Sequence, residues 1–125
     1  MNNVTEVIIG SAFEVANVLG AGFLEKVYEN ALCVELNNKG LIAEKQKRIN
    51  VYYKDVIVGD YYADILVNND IILELKTVKS IEMIHIAQCL NYLKATDKRL
   101  GLIINFGNQK VEIKRIRNDG YFKKY

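Results

Sequence analysis

The residues best equipped for chemistry lie in one short stretch, Asp64-Ile65-Leu66-Val67-Asn68-Asn69-Asp70-Ile71-Ile72-Leu73-Glu74-Leu75-Lys76. Two apolar, β-branched runs flank the polar Asn68-Asn69-Asp70, the pattern of two strands joined by a tight turn. A turn centred on Asn69 sets Asp64 directly opposite Glu74. Lys76, two residues further on, falls on the same face. Opposed positions bring Cβ atoms to about 4.5–5.5 Å. A two-residue turn would slip the register by one and send Glu74 to the other face, so the convergence requires an odd-numbered loop. On this register Tyr61, Ala63, Ile65 and Val67 are expected on the core face with Ile71, Leu73 and Leu75. Asp60, Tyr62, Asp64 and Leu66 are expected on the opposite face with Ile72, Glu74 and Lys76.

Two carboxylates held side by side repel, and one of them should hold its proton more tightly than usual. A divalent cation removes the conflict, because hard Mg²⁺ takes carboxylate oxygens while keeping several waters. A lysine beside such a metal can orient or deprotonate a water, or stabilise charge developing on phosphorus. The other reading of the same spacing is a salt-bridged surface hairpin in which Lys76 neutralises two acids.

The surrounding elements must hold this hairpin in place. Residues 4–19 carry apolar side chains at a helical period, and Asn3 is suited to an N-cap. Gly20-Ala21-Gly22 interrupts, and a second helical pattern runs from about Phe23 to Asn38 with Gly40 as its stop. Within it Glu25 and Tyr28 share a face. Taken by themselves they read as a helix-start acid favoured by the macrodipole and a partly buried tyrosine. Strands are expected over 42–53, 56–67 (kinked at Gly59) and 71–78, forming an antiparallel meander. A third helix spans about 81–95, with His85, Gln88 and Tyr92 on one stripe. Strands follow at 99–106 and 110–117, the first apolar enough to lie inside the sheet. An aromatic and basic tail, Tyr121-Phe122-Lys123-Lys124-Tyr125, ends the chain.

The 125 residues fit a single domain with its own core. Half are hydrophobic and 26% charged, which excludes a disordered chain. No basic and apolar leader stands at the start, and no apolar run is long enough for a membrane helix, so a cytoplasmic protein is expected. Cys33 and Cys89 sit apart in helical patterns and read as reduced packing residues. One histidine and two distant cysteines cannot build an ordinary zinc site. No glycine-rich phosphate loop of either common type is present. The net charge of +2 is too small to identify a nucleic-acid partner. Two basic clusters, Lys45/Lys47/Arg48 and the stretch from Lys110 to Lys124, could neutralise phosphates. Solvated strand faces are charged in the same way.

In the order helix, meander, helix, strand, Asp64…Glu74-Leu75-Lys76 resembles the D…(D/E)xK core of the PD-(D/E)XK phosphodiesterase superfamily. Gly22-Phe23-Leu24-Glu25-Lys26-Val27-Tyr28 looks like the signature of one small branch, the GxxExxY proteins. Gln88-Cys89-Leu90-Asn91-Tyr92 resembles the QxxxY helix motif of exonuclease-like members. Gly101–Gly107 and Lys114-Arg115-Ile116 look like that branch's closing strands. The resemblance runs from about Val4 to Arg117. It implies an α/β, restriction-endonuclease-like core with a central mixed sheet flanked by helices. It implies Asp64, Glu74 and the Leu75 carbonyl as ligands of Mg²⁺ or Mn²⁺, with Glu25 approaching the metal directly or through water. Lys76 would be the catalytic lysine. Gln88 and Tyr92 would steady the site or contact substrate phosphate, with Tyr28, Lys45 and Arg48 as further substrate-binding candidates. The implied activity is a metal-dependent nuclease acting on nucleic acid, most naturally DNA, with a homodimer or a larger protein partner as the assemblies to expect. A silent, nuclease-like binding or accessory protein is the alternative.

Overall fold

A computed structural model of the chain describes residues 3–119; the aromatic and basic tail, with Lys123 and Lys124, lies outside them. The periodic segments become α1 (Asn3–Leu19), α2 (Glu25–Asn38), β1 (Ala43–Tyr53), β2 (Val56–Val67), β3 (Ile71–Lys76), α3 (Met83–Thr96), β4 (Leu100–Asn105) and β5 (Glu112–Arg117). The strands form a single sheet in the order β1-β2-β3-β4-β5. All neighbours are antiparallel except β3 and β4. A parallel pair needs a crossover, and α3 supplies it. The fold is therefore α/β with a mixed sheet and helices on both faces, as the sequence leads one to expect.

Each face has its own core. On one side Ile8, Ala12 and Val15 of α1 and Tyr28, Leu32 and Leu36 of α2 cover Ile65, Val67, Ile71, Leu73 and Leu75, together with Leu102 and Ile104. On the other side Cys89, Tyr92 and Leu93 of α3 cover Ile49, Ala63, Leu66, Ile72, Ile103 and Ile116. Both faces of β3 and β4 are thus sealed, which explains their near-continuous apolar runs. Cys33 and Cys89 are free, buried and divided between the two cores.

The β2–β3 turn has the odd length that the site requires. Ile65 pairs with Leu73, Leu66 with Ile72 and Val67 with Ile71, leaving Asn68, Asn69 and Asp70 as the loop. Asn68 and Asn69 take the left-handed conformation (φ 52° and 55°), which asparagine adopts more readily than most residues. The Asn68 side chain also accepts a hydrogen bond from Ile42 N (2.8 Å), tying the entry of β1 to the turn.

One expectation fails. Tyr61 and Ala63 do not share a face with Ile65 and Val67. Ala63 packs in the α3 core, and the Tyr61 ring lies 5.5 Å from that of Tyr92 on α3. The alternation breaks at Asp64 and at the residue across from it, Gln46. The β1–β2 pairing omits this pair while keeping the same register on either side. Gln46 carries φ +55°, and Ile49 and Ala43 on β1 likewise fall in opposite cores. A left-handed residue reverses the pleat locally, and both strands follow. The expected kink at Gly59 is present as a register shift, with Val51 facing Gly59 but Tyr52 facing Ile57.

Beyond Lys76 the chain is fastened to the end of β4 by one buried amide. Asn105 Oδ1 accepts from Val78 N (3.0 Å) and Gly107 N (2.9 Å), and its Nδ2 donates to Val78 O (2.9 Å) and Glu112 Oε1 (3.1 Å). Gly107 passes so close that a Cβ there would lie 2.2 Å from Val78 O and 2.6 Å from Val78 N. Neither strand can yield, because both are backbone. Gly107→Ala should cost more than about 2 kcal/mol, the range of overpacked sites. Urea unfolding would register this as a lower midpoint with an unchanged slope. An unchanged midpoint would mean the two backbones are not held together.

Candidate active site

The site forms where β2 and β3 part. Their pairing stops at Ile65/Leu73, while β3 stays paired to β4 as far as Lys76/Asn105. The separation leaves backbone groups of both strands to be satisfied by side chains. Leu75 N donates to Asp64 Oδ2 (2.7 Å), and Asp64 N donates more weakly to Glu74 Oε2 (3.4 Å). The two carboxylates thus replace rungs of the missing ladder. A residue's N–H and C=O point to the same edge of a strand. The Leu75 carbonyl therefore turns towards the same open side as its N–H.

Electrostatics follow from burial. Glu74 is only 7% exposed. Burial first, and the Asp64 charge second, push its carboxyl up to about 8 from an ordinary value of 4.5. Burial also raises Asp64, helped by Glu29 and Glu25 and opposed by the bond from Leu75 and by Lys76. Lys76 feels both acids but forms no ion pair within 4 Å among the described residues. The salt-bridged surface hairpin is therefore not what the chain builds here. Cys89, beneath Glu74, is pushed up to about 12 by burial and by that charge, so it behaves as an inert thiol.

Helix α2 delivers a third acid. Glu25 lies in its first turn and accepts a hydrogen bond from Thr77 N (3.2 Å), just past Lys76. What fixes this helix start is Tyr28. It is fully buried, stacks on Phe106 at 4.5 Å, donates to Gly20 O (2.6 Å) and accepts from Phe23 N (3.3 Å). Gly20 (φ +74°) and Gly22 (φ +111°) supply the left-handed backbone of the turn that Tyr28 closes. Tyr28 was expected among the substrate-binding residues; with no exposed surface it can act only by holding α2 in place.

Glu29, one turn beyond Glu25, escaped the sequence reading. It is 4% exposed and accepts from Gln46 Nε2 (2.9 Å) and Lys26 Nζ (3.2 Å). Its (i, i+4) spacing from Glu25 was the available signal. The Gln46 side chain that meets it belongs to the residue where the pleat reverses. A rare backbone conformation beside Asp64 is thus held by a buried acid.

On the far side, Gln88 Nε2 donates to Tyr92 OH (3.0 Å), so the two residues act as one unit. Burial and the Glu74 charge raise the Tyr92 hydroxyl's pKa, which puts this unit within electrostatic reach of the acids. His85 only caps α3, accepting from Glu82 N (3.0 Å). Lys45 and Arg48 lie on exposed β1 and are already engaged. Lys45 donates to Asn30 (2.8 Å), and Arg48 holds Asp60 through two bonds of 2.9 and 3.1 Å. They are not drawn to the acidic cleft.

The donor set suits a hard cation. Among the described residues no three His, Cys, Asp or Glu side chains are grouped so as to hold a metal ion by themselves. A Mg²⁺ site does not need such a group: one or two carboxylates, an oxygen of another kind and several waters suffice. Asp64 and Glu74 each spend one oxygen on a backbone N–H, and the other oxygens have no hydrogen-bond partner among the described residues.

Residues 2–116 match a family model described as the PD-(D/E)XK nuclease superfamily, and the chain belongs to that superfamily. No curated protein matches it. Among solved structures, that of SSO0001 is similar, with a TM-score of 0.55 and 18% identity. The alignment covers 93% of this chain and 59% of that protein, so the chain spans well under two thirds of its length. The likeness is one of fold.

The buried acids generate a pH signature. In metal-free protein, Glu74 keeps its proton between pH 4.5 and about 8 when folded but loses it when unfolded. Stability should therefore fall as pH rises through this window, by up to about 1.4 kcal/mol per unit. Glu74→Gln, which fixes the neutral form, should flatten the decline. Melting in chelator across this range would show it, and an identical slope in both proteins would contradict it.

Proposed function

For this member of the PD-(D/E)XK nuclease superfamily we propose a divalent-metal-dependent phosphodiesterase acting on nucleic acid, most naturally DNA, and the finer assignment to its GxxExxY branch. The observation that carries the reading is the meeting, where two strands separate, of the buried Glu74 carboxylate with the half-buried Asp64 charge that repels it and with Lys76, which has no ion pair among the described residues. Such an arrangement costs stability unless it serves a ligand. Asp64, Glu74 and the Leu75 carbonyl would hold Mg²⁺ or Mn²⁺, with Glu25 at one remove through water. The metal, when bound, supplies a Lewis acid that neutralises charge on the scissile phosphate. Lys76 orients the attacking water and stabilises the charge gained by phosphorus. The water's oxygen bonds to phosphorus and gives one proton to bulk solvent, one bridging P–O bond breaks, and solvent protonates the leaving oxygen. Gln88 and Tyr92 steady the substrate strand beside Glu74, while Tyr28 acts through the α2 start.

A second reading, a silent accessory protein that binds nucleic acid without cutting it, is favoured by one observation. The Arg48 charge is already matched by Asp60, which leaves that patch little to offer a phosphate. Among the described residues no helix is long and apolar enough to cross a membrane. Two free buried cysteines fit a reducing, cytoplasmic setting. A homodimer would enlarge the modest basic surface.

Two measurements test this. Mn²⁺ at 100-fold over its Kd should stabilise the protein by about 2.7 kcal/mol, several degrees in Tm, and Asp64→Ala should abolish the shift. Cleavage of an oligonucleotide in Mn²⁺ should fall at least about 100-fold in Lys76→Ala, while the metal-induced shift survives. Binding of metal without any cleavage would favour the accessory reading. No shift in the wild type would sink the metal site.

A further inference from the structure

The reversal of the pleat at Gln46 and Asp64 has a second effect, on the far half of β1 and β2. Beyond that point the two strands pair only with each other, and they swing Tyr61 onto the α3 face. Tyr61 and Tyr92 meet at 5.5 Å with their planes tilted by 43°, making an open aromatic corner rather than a closed stack. This corner is one wall of a cleft of about 450 Å³. Val51 and the aliphatic part of α3 make the apolar remainder. Gln88, Asn91 and Lys94 supply amides and an ammonium at its rim. Tyr61 is 46% exposed, so its ring is open to a ligand.

We propose that the cleft between the β1–β2 arm and α3 is a pocket for one unpaired nucleobase, so that the substrate is single-stranded or frayed nucleic acid. This rests on the nuclease reading of the neighbouring site. Three features support it. An exposed aromatic surface stacks bases of any identity. Side-chain amides can pair with the hydrogen-bonding edge of a base, which is free only when that base is unpaired. A lysine at the rim suits the adjoining phosphate. A base inside a duplex is covered on both faces and cannot enter. The pocket also shares Tyr92 with the acid cluster, since the hydroxyl of Tyr92 lies within the influence of Glu74 and Asp64. A base seated there holds its strand beside the cleft where the phosphate would be cut.

The test uses the full chain with Ca²⁺ in place of Mg²⁺ and three oligonucleotides of one sequence: single-stranded DNA, single-stranded RNA and blunt duplex DNA. Each carries 2-aminopurine at a central position. Single strands should bind at least about tenfold more tightly than the duplex, with 2-aminopurine fluorescence quenched by stacking. Tyr61→Ala should weaken single-strand binding about tenfold, the effect of losing one stacked base. It should leave duplex binding unchanged, and Tyr61→Phe should restore both affinity and quenching. The DNA and RNA arms show which sugar the strand carries. Equal affinity for duplex, or a Tyr61→Ala effect that is equal on all ligands, would overturn the pocket. Cleavage in Mn²⁺ is scored separately. A protein that cuts duplex equally well loses the base pocket but keeps the nuclease reading. One that binds single strands through Tyr61 yet never cuts keeps the pocket and loses the nuclease.

Discussion

The fold turns on the point where β2 and β3 stop pairing. A sheet normally satisfies its backbone by continuing the ladder. Here Asp64 and Glu74 take over, each accepting a hydrogen bond from a backbone N–H of the other strand. That substitution forces two acids into a space with little water. Burial and mutual repulsion then work against both, which is why Glu74 holds its proton well above the usual carboxylate range. The opening of the sheet, the burial of the acids and the outward turn of the Leu75 carbonyl are one event seen from three sides.

The rest of the molecule can be understood as bracing that opening. On one side Tyr28 closes the glycine turn before α2 and so fixes the first helical residue, Glu25, beside Thr77. On the other, Asn105 and Gly107 clamp the chain leaving β3 against the end of β4. Glu29 and Gln46 stabilise the left-handed residue that lets β1 follow β2 through its change of face. Each brace runs through a buried polar side chain, Tyr28, Asn105 or Glu29, where a satisfied hydrogen bond specifies geometry and an unsatisfied one is costly. Rigid support of this kind is what a site needs if its charged groups are to stay close despite repelling one another.

Much of this could be read in the chain before any coordinates. The α/β architecture followed from apolar periods of 3.6 and 2, and the observed elements differ from those expected by a few residues at their ends. Parity made the opposition of Asp64 and Glu74 conditional on an odd loop, and the structure supplies one at Asn68–Asp70. Glu25 came from a motif resemblance and not from spacing, and the structure sets it beside the strand end. What went unread was local and concerned faces. Tyr28 reads as partly buried on the face of Glu25, and as substrate-binding by resemblance, because helical spacing gives a face but not what covers it. Arg48 looked available, because a sequence does not display the Asp60 that lies across the strand. Tyr61 was assigned to the wrong core, because alternation holds only while the pleat is regular.

The sequence by itself determined which groups could meet: a strand period of two carries Asp64, Glu74 and Lys76 to one side of a hairpin once the loop between the strands is odd. Only the tertiary structure decided what those groups become. Burial between two helical layers raised the carboxyl pKa values of Asp64 and Glu74, a left-handed Gln46 redirected Tyr61 towards α3, and contacts distant in sequence assigned Tyr28 to the core and Glu25 to the cleft. Parity is a property of the chain; dielectric, facing and exposure belong to the packed whole, and they depend on neighbours that the local sequence does not contain.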